Sequence, residues 1–409
     1  MTIHLPKGVS KILHILNTNG HAAYIVGGCV RDALMGSTPK DFDITTSATP
    51  SEIKAAFHRT IDTGIKHGTL TVPIFGKAYE VTTFRIDGDY KDNRRPAQVS
   101  FTKSLTEDLS RRDFTMNAIA YHPAEGYIDP FGGTSDIAAK LIKGVGEPLL
   151  RFEEDALRIL RALRFCAQLG FLIEPATMAA LAHHKGLLAH ISAERIRDEI
   201  CKILISPNFS VFSILLEEGL WEVIDPASLP YFKNNFATST HPMALCDTQL
   251  HNRLALWLIH EDDAGADRLL KRLVLPTDTI KAVRMLINAV SMELVPQSYE
   301  VRRALGIYGR EMFKNILYIH SILAKATADT HSLEKISQIL QITEQIHKAG
   351  DAYTLASLAI NGEDLIRAGL AEPGRKLGNT LAHLLDKVQK DPSLNTYERL
   401  MQLCASLSL

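Results

Sequence analysis

Two aspartates carry the first chemical signal. In Lys40-Asp41-Phe42-Asp43-Ile44 they stand two residues apart in a β-rich run, and the period of two along a strand turns both carboxylates to one face. Like charges held side by side repel. A hard divalent cation such as Mg²⁺ relieves that repulsion and still keeps positions for substrate phosphates. The chemistry such a pair serves is phosphoryl or nucleotidyl transfer, with one metal lowering the pKa of an attacking hydroxyl and a second steadying a triphosphate. Taken alone, Asp-x-Asp also fits a surface loop. Glu80, in the β-like run at 79–85, would supply a third carboxylate if its strand lies beside that of the pair; an exposed strand glutamate fits equally.

Two further groups bear on the same chemistry. Gly27-Gly28 follows a strand-like run and precedes Val30-Arg31-Asp32, so an unobstructed turn opens a helix whose first amides can meet an anion, with Arg31 adding positive charge. The dinucleotide-binding fingerprint is not met, because a third glycine is missing and the acidic pair arrives too early. Further on, Asp155 and Arg158 are three apart, which on an α-helix places them on adjacent turns of one face as a planar acceptor–donor pair. Cytosine and adenine each present an exocyclic amine beside an unprotonated ring nitrogen, whereas guanine and uracil present a carbonyl beside a ring N–H. A buried acceptor–donor edge rejects the reversed pattern by roughly 10⁴–10⁵ when the lost hydrogen bonds have no substitute. Arg161 and Arg164 continue the spacing toward a triphosphate. An exposed helix with an i,i+3 ion pair is the other reading of this stretch.

The elements that must position these groups fall into two parts. Up to about residue 148, short β-rich runs (22–28, 42–47, 68–75 and 79–86) alternate with helical patterns at 51–57 and from Val30, which predicts an α/β or α+β head with a small, partly mixed sheet. From Glu153 helical periodicity takes over to the end, punctuated by Pro and Gly. Between two β-like runs lies a polar segment, 87–98, long enough to suggest a moving or binding role.

Composition bounds the rest. A chain of 409 residues holds two to four domains, and 46% hydrophobic residues exclude a disordered polyampholyte or a collagen-like fibre. With 45 Lys+Arg against 46 Asp+Glu there is no global basic excess, so any nucleic-acid contact must come from locally arranged arginines. Cysteines 29, 166, 201, 246 and 404 stand singly, without zinc-site pairs or a disulfide framework, and reduced thiols are expected. No apolar run approaches the roughly 18 residues of a membrane span, and no leader pattern is evident, so a cytoplasmic location is expected.

The ordered series GGxVRD (27–32), DFDITTSA (41–48), HGT (67–69), EVTTFR (80–85), RRPxxVxF (94–101), EDLxRRDFTMNAIA (107–120), IDPFGG (128–133) and RFxEDALRILRALRF (151–165) closely resembles the class II bacterial CCA-adding enzymes. These are tRNA nucleotidyltransferases related to bacterial poly(A) polymerases. LLAHISAERIRDEICKIL (187–204) and INGEDLI (360–366) extend the likeness. The resemblance implies an α+β chain: a polymerase beta-like nucleotidyltransferase head over 1–148, then an all-α neck over 149–205, a body over 206–275 and a tRNA-binding tail over 276–409. It implies template-independent addition of CCA to tRNA 3′ ends from CTP and ATP, with Mg²⁺ and release of pyrophosphate. Asp41 and Asp43 would hold the catalytic metals. Gly28 and Arg31 would lie at the nucleotide phosphates, Arg112 would contact the nucleotide, and Asp113 would sit near its ribose. Asp155, Arg158, Arg161 and Arg164 match the segment that receives base and triphosphate.

Within that family, C-only members have a shortened segment at 87–98, and its full length here, with Asp87, Gly88, Tyr90, Asp92, Arg94 and Arg95, suggests a lever that reorients Asp155 and Arg158 between C and A addition. The alternatives are a poly(A) polymerase or A-only enzyme and, in another class, a non-catalytic RNA-binding module. The expected partners are tRNA, CTP and ATP, with no membrane and a monomer or homodimer. Tail cations at 268, 271, 272, 281, 284, 302, 303 and 310 offer a track for tRNA phosphates, or a solvated helix face. His183-His184 lacks the context of an HD-type phosphohydrolase.

Overall fold

The computed structural model describes residues 2–88, 99–229 and 242–406. The chain divides into two compact units: Met1–Ala237 with Arg272–Val274, and Thr238–Lys271 with Leu275–Leu409.

In the first unit α1 (Lys7–Thr18) leads into β1 (Ala23–Val26), α2 (Gly28–Leu34), β2 (Asp43–Thr46), α3 (Pro50–Ala56), β3 (Ile61–Gly64), β4 (Thr69–Ile74) and β5 (Lys77–Thr83). After β6 (Arg85–Asp87) and β7 (Val99–Phe101) come α4 (Leu105–Ser110), β8 (Ala120–His122), β9 (Gly126–Ile128) and α5 (Gly133–Ala138). Seven strands form one sheet in the order β3-β4-β5-β2-β1-β8-β9. β2 and β5 run parallel and β1 is antiparallel to both of its neighbours, so the sheet is mixed. Every residue of β1 is buried, as its central place demands. On one side Tyr24, Val26, Phe84, Leu109, Ala118, Ala120 and Val145 form a core that fastens α4 and the following loop to the sheet. α3 starts where Thr49 and Glu52 cap each other reciprocally and Pro50 presets the first turn.

The run expected as one strand at 79–86 is two. Fully buried Phe84 separates them, donating its N–H to the Thr46 carbonyl at 2.7 Å while its own carbonyl accepts from Thr102 at 3.0 Å. The chain thereby leaves the main sheet and pairs β6 with β7 as a separate ribbon. Of the segment 87–98, only Asp87 and Gly88 belong to the described residues; Tyr90, Asp92, Arg94 and Arg95 lie outside them.

Helical structure begins at Pro148, earlier than expected, with α6 (Pro148–Glu154) and α7 (Leu157–Leu169). It is interrupted by β11 (Leu172–Ile173), which pairs in parallel with β10 (Leu141–Ile142) and ties the helices to the head. α8 (Pro175–His183) and α9 (Ala193–Leu204) follow. α9 packs along α7.

The second unit is helical throughout its described residues. Val301, Leu305, Phe313, Leu317, Ile336, Ile339 and Ile346 form one core, and Ile360, Leu365, Leu384, Val388, Leu400 and Cys404 belong to another. Several cations expected to face tRNA have internal partners. Arg302 is buried, bridging Asp351 at 2.7 Å and the Gln389 carbonyl at 2.9 Å, so its role is to join helices. Arg284 pairs with Asp263 and Asp267, and Arg310 with Glu344. All five cysteines are unpaired. Burial pushes the Cys29 and Cys166 thiols up to about 11, which keeps them protonated and unreactive at neutral pH.

Candidate active site

The turn between β1 and α2 is built on Gly27, whose φ of +80° suits a residue without a side chain. A Cβ there would also stand 3.0 Å from Nη1 of Arg112, so the glycine makes room for that guanidinium. Arg31, one turn into α2, donates to Asp32 and, through Nη1, to Asn117 Oδ1 at 2.8 Å. Gly28 begins the helix immediately beside it.

Beside this turn the sheet carries a cleft of about 220 Å³, whose lining includes Asp43, Thr45, Glu80, Arg85, Arg111 and Arg112. Asp43 is the first residue of β2. Parallel pairing of Ile44 with Val81 sets Asp43 and Glu80 one residue earlier on neighbouring strands, hence on one face of the sheet. The condition for Glu80 to neighbour the pair is met. Asp41, in contrast to its expected place, precedes the strand. It still lies near enough for its charge to act on Asp43. Crowding by protein raises the Asp43 pKa above the ordinary carboxylate value, the Arg112 guanidinium opposes this, and Asp41 adds to it. Neither carboxylate has a hydrogen-bond or ion-pair partner among the described residues. Hard carboxylate oxygens that repel each other and lack partners suit a divalent cation. No group of three or more His, Cys, Asp or Glu side chains gathers closely enough to hold a metal among the described residues, so Glu80 shares the cleft without closing a three-carboxylate cluster.

The cleft floor is fixed by Asp108, which is fully buried and accepts from Thr45 Oγ1 at 3.0 Å, the Arg85 amide at 3.2 Å and Arg111 at 2.8 Å. Arg112 lies 3.8 Å from it, and among the described residues its own Nε is buried without a hydrogen-bond partner. Two residues past Arg111, Asp113 faces the other way. It accepts from Asn117 at 3.1 Å, the Phe114 amide at 2.8 Å and both Nε (2.8 Å) and Nη2 (2.5 Å) of Arg161. Although burial opposes ionisation, Arg161 and Asn117 hold the Asp113 carboxyl well below the usual carboxylate range. Asn117 therefore joins Arg31 to Asp113. Its turn is held by α5, where Gly133 packs so closely that a Cβ would lie 2.1 Å from the Thr115 carbonyl oxygen, and Asp129 caps the helix by accepting from the Gly133 and Thr134 amides. Phe165 anchors the other side, with the guanidinium groups of Arg31, Arg161 and Arg164 each 4.1–5.5 Å from its ring centre.

Asp155 and Arg158 do not share a helix. The chain takes an extended conformation at Asp155 (φ −138°, ψ 100°) between α6 and α7, so the expected pairing across adjacent turns does not form. Asp155 accepts instead from the Leu157 amide at 3.1 Å and from Arg195 Nη2 at 3.2 and 2.9 Å. Arg158 is buried, donating to Glu154 at 2.7 Å and to the carbonyls of Arg151 at 3.0 Å and Arg111 at 2.7 Å. These bonds use three of its five N–H groups. Arg164 pairs with Glu199 of α9 at 2.6 Å. Asp108, Asn117, Glu154, Arg195 and Glu199 are therefore structural members of the site that residue spacing alone did not single out. Asp108 stands in the EDLxRRD run and Arg195 and Glu199 in SAERIRDE, and the signal that would have found them is their place in those charged motifs.

Family profiles match three parts of the chain: the Poly A polymerase head domain at residues 23–143, the "Probable RNA and SrmB- binding site of polymerase A" at 170–230, and tRNA nucleotidyltransferase domain 2 at 249–404. The CCA-adding enzyme of Latilactobacillus sakei is 38% identical over 401 residues, covering 96% of each chain. That of Geobacillus sp. strain WCH70 is 38% identical over 362 residues, covering 87% of this chain and 86% of its own. Among solved structures, the Bacillus stearothermophilus CCA-adding enzyme in complex with CTP has a TM-score of 0.83 at 33% identity, covering 97% of this chain and 96% of that one. The Thermotoga maritima CCA-adding enzyme shares the fold, with a TM-score of 0.64 at 23% identity over 99% and 97% of the two chains. With likeness at this level along nearly its whole length, the chain belongs to the family of CCA-adding enzymes.

Proposed function

We propose that this protein adds C, C and A in turn to the 3′ end of tRNA, using CTP and ATP without a nucleic-acid template, in the cytoplasm. The observation that carries the reading is Asp43 at a cleft with Glu80 and Arg112, with Asp41 near enough for its charge to act on it and neither carboxylate partnered among the described residues, in a chain of this family. Asp41 and Asp43 would hold Mg²⁺, which when bound lowers the pKa of the primer hydroxyl and neutralises triphosphate charge. Glu80 faces the same cleft from the neighbouring strand, where it would stand as a third carboxylate beside Asp43.

The protein's own groups supply the remainder. Gly27 and Gly28 let the triphosphate approach the backbone, and Arg112, with its unpartnered Nε, donates to the nucleotide. Arg31, Asn117, Asp113 and Arg161 form one hydrogen-bonded chain, so the phosphate side of the site and the ribose side move as a unit. Asp155 accepts from the exocyclic amine of C or A while Arg158 donates to the adjacent ring nitrogen. The preorganised edge stands in for a template because G and U would leave acceptor against acceptor and donor against donor. Residues 1–148 form the head, 149–205 the neck, 206–275 the body and 276–409 the tail, which would hold the outer part of tRNA by shape and phosphates.

The test is incubation of the purified protein with Mg²⁺ and tRNA transcripts ending before C, after C and after CC, each nucleoside triphosphate supplied separately. Two C residues followed by one A is the expected product. Unlimited A on any RNA would identify a poly(A) polymerase, and A on the CC transcript alone an A-only enzyme.

A further inference from the structure

Asp155 lies in the break between α6 and α7, where no helix fixes its side chain, and the strongest hold on its carboxylate comes from forty residues away. Arg195 of α9 places Nη2 across both oxygens, 3.2 Å from Oδ1 and 2.9 Å from Oδ2, while the Leu157 amide takes a second position on Oδ1. A carboxylate offers about four lone-pair positions. Three are occupied, and the one left is on Oδ2. A carboxylate free to rotate would accept from many directions; this one accepts from one. Arg195 also keeps its Nη1 buried and, among the described residues, without a hydrogen-bond partner. Docking has its own ion pair one turn further along α9, between Glu199 and Arg164.

We propose that Arg195 is a positioning residue for base selection: by straddling the Asp155 carboxylate it aims the remaining Oδ2 lone pair at the amine of the incoming base and keeps Asp155 from turning toward Arg158. The proposal rests on the reading of Asp155 as the base acceptor. The guanidinium plane matters because it fixes where Nη2 sits over the two oxygens, whereas an ammonium could neutralise Asp155 without a fixed orientation.

The experiment measures kcat/KM for CTP and for UTP on a tRNA transcript lacking CCA, in the wild type and in Arg195→Ala, Arg195→Lys, Asp155→Ala and the double variant Arg195→Ala with Asp155→Ala. Loss of a charge-assisted hydrogen bond predicts that Arg195→Ala narrows the CTP:UTP ratio about tenfold or more, with Arg195→Lys intermediate. In the Asp155→Ala background the Arg195→Ala change should narrow the ratio no further, because the carboxylate it aims is gone. Should Arg195→Ala not fold, Arg195→Lys carries the test alone. A ratio unchanged in every Arg195 variant that folds, with Asp155→Ala narrowing it, overturns the proposal and spares the reading of Asp155. A ratio unchanged in Asp155→Ala overturns that reading and the proposal with it.

Discussion

The start of β2 and the junction of α6 with α7 treat charge in opposite ways. At the first, the Asp41 and Asp43 carboxylates have no hydrogen-bond or ion-pair partner among the described residues, and the pKa of Asp43 is raised. At the second, the charges are matched within the protein: Glu154 with Arg151 and Arg158, Asp155 with Arg195, Asp113 with Arg161, and Glu199 with Arg164. Unmatched carboxylates keep affinity for a cation that arrives with substrate. In the proposed function, matched ones keep side chains still enough to read a base edge. On that proposal chemistry and selection draw on different electrostatics, and substitutions should separate them.

The largest effect belongs to the unmatched pair. Asp43→Ala should reduce CCA addition by a factor of about 10³ or more, since metal-assisted charge stabilisation contributes several kcal/mol, while the CTP:UTP preference of any residual activity stays as in the wild type. Single-turnover assays with excess enzyme check both quantities. Residual activity within tenfold of wild type would break the contrast at its chemical end.

Arg158→Ala tests the other end. The expected loss is in selection, with the CTP:UTP ratio of kcat/KM falling by about 10–100-fold while binding of the tRNA transcript changes little. An equal fall for both nucleotides would mean that Arg158 only braces the junction through Glu154 and the Arg111 and Arg151 carbonyls.

How legible these regions were differs for the same reason. Asp43, Glu80 and the Gly27 turn follow from strand alternation and a glycine beside a strand, both local properties, and the mixed sheet placed them as that reading required. Asp41 falls just outside the strand because pairing with β1 begins at Val26 and Asp43, a limit set by the neighbour. Around Asp155 local signals mislead: Glu153-Glu154-Asp155-Ala156-Leu157 contains no Pro or Gly and reads as one helix. The break there is accompanied by a tertiary ion pair, from Arg195, which no window of neighbouring residues contains. Arg161 likewise finds Asp113 at a separation of 48 residues, so its spacing from Arg158 did not reveal its partner.

Asp113→Asn sharpens the comparison through stability. The folded-state pKa of Asp113 is depressed, so its ionised form contributes stability above the unfolded carboxylate pKa, and that contribution is lost as pH falls through the folded value. At neutral pH the neutral asparagine leaves Arg161 short of its counter-ion. With Arg161 one-third exposed, the loss should be about 2–3 kcal/mol rather than the full cost of breaking a buried pair. Thermal unfolding at pH 7 measures it; no change in Tm would place Asp113 among the uncoupled charges.

Asp43→Asn should do the reverse, on a smaller scale. A folded-state pKa above the unfolded one means that the folded protein holds this proton more tightly, so ionised Asp43 costs stability at pH above the folded value and costs nothing below the unfolded value. Asparagine removes the charge, and solvent access to the side chain keeps the gain small, about 1–2 °C in Tm at pH 7 without divalent cations. At pH 3 the two proteins should melt together. Adding Mg²⁺ at pH 7 should raise the Tm of the wild type and leave that of Asp43→Asn largely unmoved, because only a ligand that prefers the folded state stabilises it. A variant less stable than the wild type at both pH values would show that Asp43 is held by the protein after all, and the distinction between an unmatched reaction centre and a matched reading edge would fail at its most sensitive point.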